Sequence, residues 1–105
     1  MARYRVNERS EEGVVVVQLV DGGAGGLVEV VPSVGAQLHR WTLTQAGDEI
    51  QLLVGASSVH HLAESPMMFG NPILFPFPNR IKGGRFSFDG VEVNLPVNEA
   101  GADNA

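Results

Sequence analysis

The chain has 105 residues, 44 % hydrophobic and 18 % charged, with a formal net charge of −5. These figures describe one globular domain over residues 1–105, with roughly 65 % of its unfolded surface to bury, and exclude a disordered chain. There is no cysteine, which excludes disulfides, thiolate nucleophiles and Cys-ligated metal and fits a reducing compartment. No apolar run approaches the ~20 residues of a membrane span, residues 1–9 lack the apolar stretch of a secretory leader, and the acidic balance disfavours nucleic acid. No membrane or nucleic-acid partner is therefore expected, and a cytoplasmic location is.

Thirteen glycines and six prolines predict a turn-rich fold of short strands. Val14-Val15-Val16-Val17-Gln18-Leu19-Val20 is β-branched and nearly all apolar, which predicts a strand buried on both faces. Asp21 to Gly26 breaks the pattern and Leu27 to Val31 resumes it, so the two runs should pair antiparallel. Pro32 to Ala36 reads as a turn or bulge. Leu38 to Thr44 follows as a strand, with His39, Trp41 and Leu43 on one face by period two. After a loop at Gln45 to Asp48, Ile50, Leu52 and Val54 share a face of the next strand. Ser57 to Glu64 has room for one short helical turn.

Pro72 to Ile81 is the most unusual stretch. Pro76 and Pro78 remove two backbone donors, which a central strand does not tolerate. Each also biases its predecessor toward extended geometry, so a stiff extended rod is expected to deliver Asn79 and Arg80 to a fixed place. Asp89-Gly90 then marks a two-residue hairpin between Arg85 and Leu95. That register sets Phe86 opposite Val93 and Phe88 opposite Val91, with Ser87 and Glu92 on the other face. The tail from Pro96 has neither helical nor strand periodicity. Six or seven strands in an all-β, antiparallel β-sandwich is the predicted class.

Few residues carry chemistry. His60-His61 invites a metal, but neighbouring residues diverge on either a strand or a helix, and no third ligand stands at suitable spacing; no metal is expected. The glycines at 22–26 run from one strand into another without Lys, Ser or Thr, which fits a hairpin loop better than a phosphate cradle. Arg80, Lys82 and Arg85 with Phe86 and Phe88 resemble a small RNA patch, yet the phenylalanines fit the apolar hairpin face. Asn79-Arg80 stands apart. A planar guanidinium on a stiff segment bridges neighbouring hydroxyls or a carboxylate, and Asn adds a donor and an acceptor beside it. The same pair serves equally well as a loop that caps carbonyls.

The run Gly70-Asn71-Pro72-Ile73-Leu74-Phe75-Pro76-Phe77-Pro78-Asn79-Arg80-Ile81-Lys82-Gly83-Gly84-Arg85-Phe86-Ser87-Phe88-Asp89-Gly90 resembles the N-terminal motif of the aldose 1-epimerases, the galactose mutarotases. Pro32 to Ala36 is similar to an early Gly-Ala turn of that family. The resemblance implies the N-terminal third of a large antiparallel β-supersandwich of about 300 residues, above the usual domain size. It implies that Asn79 and Arg80 contact a hexose such as galactose or glucose. The segment Asn98 to Ala105 is similar to the Asn-rich segment that precedes the family's sugar-contacting His-Gly pair.

The implied reaction interconverts α and β anomers. A base takes the proton of the anomeric hydroxyl, an acid protonates the ring oxygen, and the opened chain recloses on its other face. No cofactor is implied. The family's acid (His) and base (Glu) lie beyond this segment, and His39, His60 and His61 match none of its motif positions. The expectation is therefore an isomerase of carbohydrate metabolism whose 105-residue portion is by itself inactive and self-associates through strand faces left bare. The alternative is a non-catalytic carbohydrate-binding or sensing module.

Overall fold

Hairpin turns build most of the chain. The computed structural model describes residues 2–105 and shows seven strands and one short helix among them. The chain divides into two units, one running to Ile73 and one from Leu74 to Ala105.

The first unit holds a five-stranded antiparallel sheet in the order β1-β2-β3-β4-β5. Its strands are β1 (Tyr4–Glu11), β2 (Val14–Asp21), β3 (Gly26–Val31), β4 (Gln37–Gln45) and β5 (Asp48–Gln51). Glu12-Gly13 joins β1 to β2 and Ala46-Gly47 joins β4 to β5, all four residues at positive φ, the geometry whose twist matches a two-residue hairpin. Between β2 and β3, Asp21 Oδ1 accepts from the Gly23 and Ala24 amides at 2.9 and 3.2 Å, an Asx-type closure of the glycine loop.

Register gives the sheet two different faces. Val6, Leu19, Val28 and Trp41 form one cross-strand row, and Asn7, Gln18, Glu29 and Arg40 form the row beside it on the opposite face. On the second face, Val16 and Val31 pack with Val59 and Leu62 as the buried core. Val59 and Leu62 lie three apart on helix α1 (Val59–Glu64), hence on one side of it. Ser58 caps this helix, its hydroxyl accepting from the His61 amide at 3.0 Å, and Glu11 accepts from the Val59 amide at 2.6 Å. The glutamate at the end of β1 thus fastens the helix to the sheet.

The second unit holds β6 (Arg85–Phe88) and β7 (Val91–Asn94) in the register expected, with Phe86 opposite Val93 and Phe88 opposite Val91. Asp89 and Gly90 both have positive φ. The tail folds back along the start of this unit: Ile81 and Ala105 exchange backbone hydrogen bonds at 2.8 and 3.0 Å, and the Gly83 amide donates to Asp103 at 2.7 Å.

The all-β, antiparallel class, the β2–β3 pair, the helix near residues 57–64 and the Asp89-Gly90 hairpin stand as expected. Several particulars differ. The β2 strand is not buried on both faces: Val16 is, but Val15 and Leu19 are exposed, because residues on the Leu19 face have no layer of this sheet's own unit over them. His39 does not share a face with Trp41 and Leu43. Glu29 pairs with Arg40 while Val30 pairs with Leu38, so His39 is the extra residue of a bulge and the alternation changes phase there. Strand β5 ends at Gln51, leaving Leu52 and Val54 outside it. The segment 72–80 joins no strand, as two prolines dictate, but it bends at 76 and 78–79 and its Phe75–Pro76 bond is cis. It is not a straight rod. Phe88 is 74 % exposed, so only the Phe86 end of the hairpin's apolar face is covered, by the Phe77 ring at 5.4 Å.

Candidate functional site

Asn79 and Arg80 lie at the entry to the second unit, immediately before the stretch that pairs with the tail. Gly83-Gly84 then turns the chain into β6. Gly84 has φ +62°, its amide donates to Ile81 at 2.9 Å, and its carbonyl accepts from Leu95 at 2.7 Å. A Cβ there would sit 2.5 Å from the Leu95 carbonyl oxygen, so close approach and left-handed backbone both require glycine. This closure anchors Ile81, and Arg80 projects from the residue before it.

Asn79 turns inward on its own backbone, its Oδ1 accepting from the Arg80 amide at 2.8 Å. The Arg80 guanidinium, 67 % exposed, pairs through Nε with Glu99 Oε1. The other carboxylate oxygen accepts from Asn104 Nδ2 at 2.8 Å, while the Asn98 and Glu99 amides both donate to the Asn104 carbonyl at 3.1 and 3.2 Å. Glu99 is therefore fixed at both ends. The Asn104 amide first, and Arg80 second, hold its carboxyl below the usual carboxylate range. Among the described residues nothing bonds the two Arg80 Nη atoms or the Asn79 Nδ2. The corner presents a fork of N–H donors on a guanidinium whose orientation is already set.

Sequence reasoning missed Glu99 as a partner of Arg80. The two are separated by 19 positions, and no spacing rule links residues across an irregular loop. It also missed a polar cluster on the sheet of the first unit. Arg9 grips the buried Glu29 through Nε and Nη2 at 3.1 and 2.9 Å, Gln18 Nε2 donates to the same carboxylate at 2.9 Å, and Arg9 Nη1 reaches Glu11 at 3.0 Å. With His39 these side chains line an open cavity of about 630 Å³. Burial opposes ionisation of Glu29, but the Arg9 fork, Gln18 and the nearby cations outweigh it and leave the carboxyl below its usual range. His39 is itself 6 % exposed, its Nδ1 without a partner among the described residues, and burial keeps its ring neutral to lower pH than usual. Arg9 serves both Glu11 and Glu29, and Arg40 adds a second cation beside Glu29, so the cluster's evident work is to hold β1, β2, β3 and α1 together.

The histidine pair diverges. His60 Nε2 meets Glu12 at 3.1 Å, while His61 Nδ1 meets the Ser57 hydroxyl at 2.9 Å and its ring lies edge-on to Phe69 at 4.6 Å. Among the described residues no group of three or more His, Asp or Glu is gathered as metal ligands would be. Phe86 is engaged by Phe77, and Arg85 lies exposed in β6 opposite Asn94; Arg80 differs from it in having its guanidinium oriented by an ion pair with Glu99. Compared with known families, the chain matches the family model described as aldose 1-epimerase over residues 17–105.

Proposed function

From the premise that the chain belongs to the aldose 1-epimerase family, a family of epimerase-type enzymes, we propose that it forms the substrate-contact part of an isomerase that interconverts the anomers of a hexose such as galactose or glucose. Asn79 and Arg80 are the sugar contacts. The observation that carries this reading is the state of Arg80: an exposed guanidinium held at Nε by Glu99, its two Nη atoms without a partner among the described residues. A guanidinium tethered in this way has less freedom to lose on binding, and its open edge matches two neighbouring hydroxyl oxygens.

Its contribution to the reaction is positional. A guanidinium offers donors and no acceptor, so it does not serve as the base. By holding the pyranose it raises the fraction of encounters in which an acid and a base, supplied elsewhere, meet the ring oxygen and the anomeric hydroxyl. No cofactor enters the scheme.

The test is an NMR titration of the chain with millimolar galactose or glucose, following the Arg80 Nε–H and the amides of 79–83. Saturable shifts are expected in the wild type, and their loss in Arg80→Ala. A sugar-independent spectrum would overturn the assignment. A non-catalytic sugar-binding module is the second reading, favoured by the engagement of His60 with Glu12 and of His61 with Ser57. Both readings share the binding result and part on turnover of the whole gene product.

A further inference from the structure

An arginine fork by itself favours carboxylate and phosphate over neutral hydroxyls, since both offer charged, bidentate acceptors. At the Arg80 corner that preference is opposed from within. Glu99 occupies Nε and carries a full negative charge beside the guanidinium. Asn104 and two backbone bonds hold it there, so it does not swing away when a ligand arrives. The rest of the second unit does not compensate: its cations are Arg80, Lys82 and Arg85, against Asp89, Glu92, Glu99 and Asp103.

Resting on the reading of Arg80 as a sugar contact, we propose that Glu99 is the specificity-determining positioning residue of this corner. It orients the Arg80 Nη edge toward a neutral vicinal diol and reduces the hold on anionic sugars, the sugar phosphates and sugar acids. An incoming phosphate would meet an already neutralised ion pair and face like charge from the Glu99 carboxylate. A diol oxygen, being a neutral acceptor, keeps its two N–H bonds and meets no repulsion.

The experiment titrates the full chain with D-galactose, D-galacturonate and D-galactose 6-phosphate at one fixed ionic strength, using wild type, Glu99→Gln and Glu99→Asp. In the wild type, galactose should bind at least as tightly as either anion. In Glu99→Gln, whose amide oxygen still accepts from Arg80 or Asn104, affinity for the anions relative to galactose should rise about tenfold. Glu99→Asp should return the ratio toward the wild-type value, an outcome that a purely structural role for Glu99 would not give. A wild-type preference for the 6-phosphate overturns the proposal, as does an unchanged ratio in Glu99→Gln. The wild-type comparison stands even if that variant fails to fold. If galactose binding depends on Arg80 but the ratio ignores Glu99, only the role of Glu99 falls. If no sugar binds, the contact reading falls and this inference with it.

Discussion

Arg9 and Arg80 are both paired with glutamate, yet they do different work. Arg9 lies over a buried carboxylate and uses all three nitrogens internally, whereas Arg80 uses one and exposes the rest. Removing Glu29 leaves Arg9 Nε and Nη2 and Gln18 Nε2 without their acceptor. Glu29→Ala is expected to cost about 2 kcal/mol of stability, less than a fully buried pair because Arg9 is partly exposed, as read by urea unfolding. Leu62→Ala strikes a core that among the described residues has four fully buried side chains and should cost about 3 kcal/mol, a large share of what a small domain possesses. Gly84→Ala should destabilise the second unit, since the new methyl meets the Leu95 carbonyl at 2.5 Å; broadened or lost amide signals of β6 and β7 would register it. Of these residues, only those in contiguous motifs were legible in the sequence. Asn79, Arg80 and Gly84 lie in one run of distinctive chemistry. Glu29 and Glu99 owe their importance to partners 20 and 19 positions away, a relation created by the fold.

The elements were legible where local rules decide them. Asp89-Gly90 fixed a hairpin because few dipeptides tolerate two positive φ angles. Strand β1 was not foreseen, because its Arg5, Asn7, Arg9 and Glu11 lie on the face where the polar row and the Arg9 cluster sit, and so many charges hide the strand alternation. Its Glu12-Gly13 turn carried the available signal. The His39 bulge was invisible for a different reason: an inserted residue changes the phase of alternation without changing composition. Helix α1, six residues long, is too short to persist without outside support, and the Glu11 carboxylate supplies some. The Val59 amide first, and Arg9 second, hold its carboxyl below the usual range, and Glu29 is lowered as well. Lowered folded-state values mean that this stability is complete above the ordinary glutamate value of 4.5 and is lost as pH falls through the folded values. Stability measured by chemical denaturation should therefore decline below about pH 4.5, and Glu11→Gln should flatten that decline while loosening α1.

At the scale of the whole molecule, the sheet of the first unit leaves Tyr4, Val6, Leu19, Trp41 and Ile50 exposed on one face. A contiguous exposed apolar face of this kind favours association. We expect the isolated chain to self-associate, with an apparent mass in light scattering that rises with concentration; a steady monomer would count against this. Polarimetry of anomerising glucose should show only the solvent rate with the isolated chain, since none of its residues matches the acid or the base that the resemblance implies. The alternating pattern announced two-faced strands, but not which face would be covered. Burial depends on what lies opposite, and periodicity says nothing about that.

The sequential order of the five-strand sheet also bears on how the chain acquires its shape. Each strand pairs with the one made just before it, across a short turn, so no long loop must close before a contact is gained. A ribosome would release each strand beside a partner already waiting. The first unit can assemble in step with synthesis, whereas the start of the second unit waits for Ala105, far along the chain, before Ile81 finds its backbone partner.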